Sequence, residues 1–279
     1  MFLTKMNFVT MLFILTAGFF PAPQAQASDL DSFHGLHGIV KISGGTAHIP
    51  VIKEVAKQIM TANPEIQISV AGGGSGLGIK QVGEGLVDIG NAGRKATDDE
   101  INRYGLVLHK WAIDGVGAVV HPKNSIRSLS KSQIQAIFSG KMTNWKEVGG
   151  QDRAINLYSR DKESGTRKVF QKKALAKGDI SQHSNIVVSN GAMKASVSND
   201  PYAIGYVSVG HIDKSVAPVA LDGVLPTLEN VQNGNYPVAR GLYSITKGEP
   251  AGLTKTFIDF LFSPTGQQIA ADKGFIPVQ

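Results

Sequence analysis

Residues 66–86 read IQISVAGGGSGLGIKQVGEGL, and the hydrophobic pattern changes its period within this stretch. Apolar residues alternate with polar ones over 66–70, which is typical of a β-strand buried on one face. After the glycine-rich segment 71–76, apolar residues recur at helical spacing, at Ile79, Val82 and Leu86. The stretch therefore predicts a strand, a tight glycine loop and a helix in direct succession.

The same unit recurs along the chain. A predicted strand at Gly38–Ser43 leads through glycines into a helix that carries Ile52, Val55 and Ile59 on one face, and a strand at Ile155–Tyr158 leads through residues 159–166 into another helix. The patterns also predict strands at Asp88–Gly90, Ile186–Val188, Ala203–Val209 and Leu242–Thr246. A capping box at Ser130 and Gln133 predicts the start of a helix that runs to Phe138. A further helix carries Leu253, Phe257 and Leu261 on one face and is predicted to end at Pro264. Repeated strand–loop–helix units predict an α/β fold with mainly parallel sheet.

Three of the loops share small, hydroxyl-bearing and glycine residues between a strand and a helix. They are Ser43–Ala47, Gly73–Gly76 and Arg160–Thr166. A helix N-terminus presents unpaired N–H groups and partial positive charge, and glycine lets an oxyanion approach the backbone. Each loop alone is also explained as an ordinary N-cap. Together they favour an oxyanion site at the carboxyl ends of the strands.

Arg160 adds a fixed positive charge to the third loop. A guanidinium can donate two parallel hydrogen bonds to a tetrahedral oxyanion, and it stays protonated at all relevant pH values. The alternative role is a surface ion pair with Asp161 or Glu163.

The N-terminus predicts export. Lys5 precedes an apolar run at Phe8–Phe20, and Ala25-Gln26-Ala27 follows as an A-x-A cleavage site. We therefore expect a signal peptide at residues 1–27. The chain has no cysteine, so it lacks a lipid-acceptor thiol, and we expect a freely diffusing periplasmic protein.

Composition and spacing argue against several other functions. The formal charge of +6 favours anionic partners, but the lysines are scattered and aromatic residues make up only 7%, which speaks against nucleic-acid binding. Cysteine-based metal sites and thiol catalysis are excluded. No nucleophile–base pair has a recognisable spacing, and His34 and His37 are the one close histidine pair. We expect no catalytic residues, no metal and no cofactor.

Stretches along nearly all of Gly38–Gln279 resemble, in order, the phosphate-binding proteins of Pst-type ABC transporters, which belong to the type II periplasmic binding proteins. The matching stretches are Ile42–Ala47, Gly72–Gly78, Asp88–Arg94, Trp111–Gly115, Ile137–Gly150, Ser159–Arg167, Asn199–Val207 and Gly274–Val278. The most specific of them is the 137–150 segment, IFSGKMTNWKEVGG.

The resemblance implies two α/β lobes joined by crossing strands, with an anion in the cleft. We expect residues 28–117 and 213–279 to form one lobe and residues 118–212 the other, with crossing segments at Asp114–Val120 and Ile204–Val209. The implied function is capture of inorganic phosphate, without catalysis, by a monomer that delivers it to an inner-membrane permease. Three alternatives stay open: a binding protein for sulfate, molybdate, tungstate or another oxyanion, a secreted phosphate-ester hydrolase, and a signalling or adhesive module that binds phosphate.

By position in the motifs, the resemblance also implies the ligand-binding residues. They are Thr46, Ala47, Ser75, Arg160, Ser164, Gly165 and Thr166, with Ser43, Gly76 and Arg94 as weaker candidates. Arg94 has the alternative role of pairing with Asp98 or Asp99. Many family members carry an acidic residue where this chain has Gly93, and there it accepts a proton from phosphate and excludes sulfate. Its replacement leaves open how this protein discriminates the two anions.

Overall fold

The structure, a computed structural model, describes residues 29–278, so the predicted signal peptide lies outside the described residues. The strands are β1 (Gly38–Gly44), β2 (Ile66–Gly73), β3 (Ile89–Ala92), β4 (Leu106–Val120), β5 (Ser128–Leu129), β6 (Asn156–Arg160), β7 (Asn185–Val187), β8 (Ala203–Ser208), β9 (Ala217–Pro218), β10 (Ala220–Leu221), β11 (Ala239–Lys247) and β12 (Ile276–Pro277).

The helices alternate with these strands, as the sequence predicts. They are α1 (Ile49–Ala62), α2 (Gly74–Gly83), α3 (Asp98–Tyr104), α4 (Lys131–Phe138), α5 (Gly165–Lys173), α6 (Asn190–Asn199), α7 (Leu228–Gln232), α8 (Gly252–Phe262) and α9 (Pro264–Asp272). Within residues 29–278, no helix is both long and apolar enough to span a bilayer.

The main sheet has the order β2-β1-β3-β11-β4-β8-β6-β7. β1 pairs in parallel with β2 and β3 at one end, and β6 pairs in parallel with β7 and β8 at the other. The long central strands β4 and β11 run antiparallel to each other and join the two parallel parts. This arrangement confirms the predicted α/β class.

Buried side chains form one principal core at each end of the sheet. The first contains Ile42, Val55 and Trp111, and it includes residues of α8 and α9. The second contains Val116, Phe138 and Phe170. β4 contributes Trp111 to one core and Val116 to the other, so it crosses between them as predicted.

The second crossing strand differs from the prediction. Ile204–Ser208 belongs to β8, whose buried side chains pack only on the second side, and Val209 begins a short 3-10 helix. β11 crosses instead, because Val238 just before it packs in the second core and Leu242 within it packs in the first. Since Val219 and Tyr236 also pack in the second core, we propose that this lobe extends to Val238 and not to residue 212.

Two element ends also differ from the prediction. α2 ends at Gly83, so Leu86 lies beyond it and is 59% exposed. Pro264 does not merely end the preceding helix, because it occupies the first turn of α9, where its missing N–H has no helical partner to lose. The predicted capping box at Ser130 and Gln133 is confirmed, with both reciprocal hydrogen bonds present.

Candidate anion-binding site

The three predicted loops meet at a buried cavity between the two cores. β1, β2, β3 and β6 all end there, and α2 and α5 begin there, at Gly74 and Gly165. The lining residues of the cavity are Gly45, Thr46, Ala47, Gly74, Ser75, Gly93, Arg160, Ser164, Gly165, Thr166 and Arg240.

Glycines allow the loops from the two lobes to touch. A Cβ atom at Gly165 would lie 2.1 Å from the Ser75 hydroxyl oxygen. At Gly74, where φ is +88°, a Cβ atom would lie 2.8 Å from the Glu163 carbonyl oxygen. Side chains at these positions would hold the loops apart, so the glycines permit the closed arrangement.

Every hydroxyl group in the lining is oriented by a hydrogen bond that its oxygen accepts. The Thr46 hydroxyl accepts from Asn190 Nδ2 at 3.1 Å, and the Ser75 hydroxyl accepts from Gly93 N at 2.9 Å. The Ser164 hydroxyl accepts from Arg167 N at 3.1 Å, and the Thr166 hydroxyl accepts from Arg240 Nη1 at 2.9 Å. A hydroxyl whose oxygen accepts still has its own proton to donate. All four residues are almost fully buried, so the cavity is lined by preoriented uncharged donors.

Arg160 reaches the cavity with part of its guanidinium unused. It is 1% exposed, its Nε donates to Val187 O at 3.1 Å, and its Nη2 donates to Val188 O at 3.0 Å. Its Nη1 is buried and has no hydrogen-bond partner among residues 29–278. The alternative ion pair with Asp161 amounts to a 3.9 Å contact with a partly exposed carboxylate. Burial lowers the pKa of Arg160, which nonetheless stays protonated.

Arg240 is a lining residue that the sequence patterns did not single out. It lies on β11, is 7% exposed, and reaches the cavity beside Gly93 and Thr166. Its Nε donates to Asp114 Oδ2 at 2.8 Å, and its Nη2 lies 2.7 Å from the same oxygen. No loop motif marks this residue, and only the pairing of β11 with β3 and β4 brings it to the site.

The three weaker candidates form hydrogen bonds with groups that do not line the cavity. Ser43 donates to Gln81 Oε1 at 2.6 Å, and the N–H of Gly76 donates to Glu163 O at 3.0 Å. Arg94 forms a bidentate pair with Glu100, with both N–O distances at 2.7 Å, so its carboxylate partner is not Asp98 or Asp99.

Gly93 lies beside the Arg240 guanidinium. A Cβ atom at position 93 would lie 2.7 Å from Arg240 Nη1 and 3.1 Å from Cζ. The space that a side chain at this position would need is therefore filled by a cation. Within the described part of the chain, no acidic residue lines the cavity.

Two buried histidines near the cavity stay neutral. Burial first, and the charge of Arg240 second, lower the pKa of His48 to about 3. Burial, then Lys194 and Arg240, lower the pKa of His211 to about 4. Across residues 29–278 there is also no group of three or more His, Cys, Asp or Glu residues that could hold a metal ion. The fixed positive charges at the site therefore come from the arginines. Burial raises the pKa of Asp114, and the adjacent Arg240 guanidinium opposes that rise.

The comparisons with known proteins agree with this geometry. The family model of the PBP superfamily domain matches residues 22–265. The phosphate-binding protein PstS of Bacillus subtilis (strain 168) is 40% identical over 268 residues, which cover 92% of this chain and 87% of that protein. The chain belongs to the PstS family of phosphate-binding proteins. The resemblance predicted from the sequence is thereby confirmed.

Solved structures give the same relationship. A Clostridium perfringens protein solved with bound phosphate, and assigned to phosphate ABC transporters as a substrate-binding protein, matches with a TM-score of 0.82 at 37% identity, covering 87% of this chain and 100% of that chain. An ABC-type phosphate transport receptor from Vibrio cholerae matches with a TM-score of 0.70 at 31% identity, covering 86% of this chain and 100% of that chain. These neighbours confirm the two-lobed α/β binding-protein fold.

Proposed function

We propose that this chain is the periplasmic phosphate-binding component of an ABC transporter. It captures inorganic phosphate in the cavity between its lobes and delivers it to an inner-membrane permease of the Pst type. The observation that carries the proposal is a buried cavity lined by hydrogen-bond donors and two guanidinium groups, with no carboxylate among its described lining residues.

Such a cavity suits an oxyanion because it replaces the water that the anion loses. Burying a charge without a partner is unfavourable both for the anion and for the guanidinium groups. When the anion binds, it and the arginines become each other's partners, and this desolvation cost falls. Charge-assisted hydrogen bonds contribute about 1.5–3 kcal/mol each. The donors available are the four hydroxyls, the arginine N–H groups and the backbone N–H groups of the predicted residues Ala47 and Gly165.

The contacts between the lobes imply that the anion enters and leaves by lobe opening. Thr46 on the first lobe accepts hydrogen bonds from Asn190 on the second, and Gly76 donates to Glu163 across the cleft. These contacts enclose the cavity, so release requires that they separate. We propose that the closed form presents the surface that the permease recognises.

The composition of the cavity wall supports binding without turnover. Among the described lining residues there is no histidine and no carboxylate to act as a general base for a hydroxyl nucleophile. We therefore propose a non-enzymatic carrier. We further propose that it acts as a monomer, needs no cofactor and binds no nucleic acid. Export and cleavage after Ala27 complete the proposal.

The test is a competitive calorimetric titration of phosphate-stripped protein with phosphate, arsenate, sulfate and molybdate. Tight one-to-one binding of phosphate supports the proposal, and preference for sulfate or molybdate overturns the phosphate assignment. Turnover of a chromogenic phosphate ester by the purified protein would overturn the non-enzymatic role. The phosphate-ester assay of an Arg160→Ala variant separates turnover at this site from a contaminating hydrolase.

A further inference from the structure

We propose that Arg240, held in place by Asp114, is a second anion-binding guanidinium of this site. The two guanidinium groups would then make the site select doubly charged tetrahedral oxyanions. The inference rests on the proposed function and adds a specificity-determining residue to it.

The first argument is the geometry of Arg240. Asp114 engages one edge of the guanidinium through Nε and Nη2, while Nη1 contacts Thr166 Oγ1 at 2.9 Å and Gly93 O at 3.4 Å. Nη2 is buried, and its contact with Asp114 lacks the alignment of a hydrogen bond. The side chain is therefore fixed in orientation but retains donor capacity beside the cavity.

The second argument is charge. The side chains of Arg240 and Asp114 are 3% and 0% exposed, so they form an almost fully desolvated ion pair. Arg160 has no comparable partner within the described chain, because its nearest carboxylate, that of Asp161, lies at 3.9 Å and is 30% exposed. The site thus holds two positive charges against one buried negative charge. A bound anion would supply the missing countercharge.

The third argument is mutual repulsion. The charge of Arg240 acts on Arg160 and helps to lower its pKa, after the larger effect of burial. Two buried like charges destabilise each other, and an anion between them removes that penalty. A dianion relieves it more than a monoanion does, since each guanidinium gains a full opposite charge.

A pH test must account for the other titratable groups near Arg240. They are Asp114, Arg160, His48 and His211. In the folded protein His48 and His211 remain neutral above about pH 5, because their pKa values are about 3 and about 4. Burial raises the pKa of Asp114, and the Arg240 guanidinium in contact with it opposes that rise. With this pair ionised, the ionisation that changes in the neutral range is that of phosphate itself, whose second step in phosphate esters lies at about pH 6.

The experiment titrates phosphate-stripped protein with inorganic phosphate at about pH 8.5 and about pH 5, on either side of that ionisation. The wild type is expected to bind at least about tenfold more tightly at the higher pH. Arg240→Gln alone would leave Asp114 as an unpaired buried charge, so the decisive variant is Asp114→Asn with Arg240→Gln. It is expected to lose at least about tenfold in affinity at the higher pH, together with most of the preference for that pH.

Arg240→Lys separates the effect of charge from that of geometry, because lysine keeps the positive charge but cannot donate the two parallel hydrogen bonds of a guanidinium. It should bind with intermediate affinity and retain the pH preference. Arg103→Gln, which removes an exposed arginine outside the cavity, is the matched control and should behave as the wild type. Thermal melts verify that each variant is folded.

An unchanged affinity and pH preference in the folded double variant would overturn the role of Arg240 and leave the phosphate-binding proposal intact. Failure of the wild type to bind phosphate at all would instead reject the proposed function, and this inference with it.

Discussion

The hydroxyl oxygen of Thr46 lies 3.2 Å from the backbone nitrogen of Asn190 and 3.1 Å from its Nδ2 atom. Thr46 follows β1 in the first lobe, and Asn190 begins α6 in the second. Because the oxygen accepts both bonds, the hydroxyl proton is directed to a third partner. Thr46 therefore contacts the second lobe across the cleft and, through the same group, keeps a hydroxyl proton available to an anion in the cavity.

Replacing Thr46 with Val removes this group at nearly constant volume. Phosphate affinity should fall by at least about tenfold, because a charge-assisted bond to the anion is lost and two buried donors of Asn190 lose their acceptor. Thr46→Ser keeps the hydroxyl and should bind within about threefold of the wild type. Calorimetry on phosphate-stripped proteins measures both variants, and equal affinities for Val and Ser would contradict the role of the hydroxyl.

Arg160 gives a second prediction. Arg160→Ala should weaken phosphate binding by at least about tenfold while the fold is retained, because the unpartnered Nη1 of this residue is one of the two strongest donors available to an anion. Arg103→Ala, at an exposed position, serves as the control. Unchanged affinity of a folded Arg160→Ala variant would exclude Arg160 from the site.

The strand–loop–helix pattern predicted much of this site because its information is local. The three loops that the pattern singled out, and the seven residues in them that the family resemblance implied, line one cavity, since parallel strands end at a common edge of the sheet. Each loop carries its hydroxyls, its glycines and the helix start within a few residues. Such a unit is readable without knowing the partner strand.

Arg240 could not be predicted in this way, because its place in the site depends on long-range pairing. It is 126 residues from Asp114 and 74 from Thr166 in the sequence. The antiparallel pairing of β11 with β4 places Arg240 opposite Asp114, and Thr166 reaches it from the first turn of α5. The ion-pair partner of Arg94 was predicted incorrectly for a related reason. Glu100 belongs to the capping box of α3, and its carboxylate is presented to Arg94 by that turn.

Gly93 gives a third prediction, because its missing side chain leaves room for Arg240. Gly93→Ala changes no charge, yet its Cβ atom would lie 2.7 Å from Arg240 Nη1 and displace the guanidinium. Phosphate affinity should therefore fall by about threefold to thirtyfold. Gly191→Ala adds the same methyl group at an exposed helical position, where the Cβ atom would make only an ordinary van der Waals contact of 3.8 Å with Ser189 Oγ, and it should leave affinity unchanged. Equal affinities for the two variants would show that position 93 does not control Arg240.

Because His48 is buried and neutral, we expect the stability of the phosphate-free protein to depend on pH. Its side chain is fully buried between Gly45, whose carbonyl oxygen lies 3.1 Å from Nδ1, and the ring of Trp111. The folded protein keeps it neutral down to about pH 3, whereas the unfolded chain takes up the proton near pH 6.5. Between these values the unfolded state binds more protons, so the free energy of unfolding falls as the pH drops.

His48 accounts for about 2 kcal/mol of the fall in the free energy of unfolding between pH 7 and pH 5. His48→Asn, which keeps a donor near the position of Nδ1, should reduce the pH dependence of the unfolding free energy by that amount. His37→Asn, at an exposed position, should retain the wild-type dependence. Urea unfolding at the two pH values measures all three proteins. If His48→Asn kept the full dependence of the wild type, a proton taken up by His48 on unfolding could not be its cause.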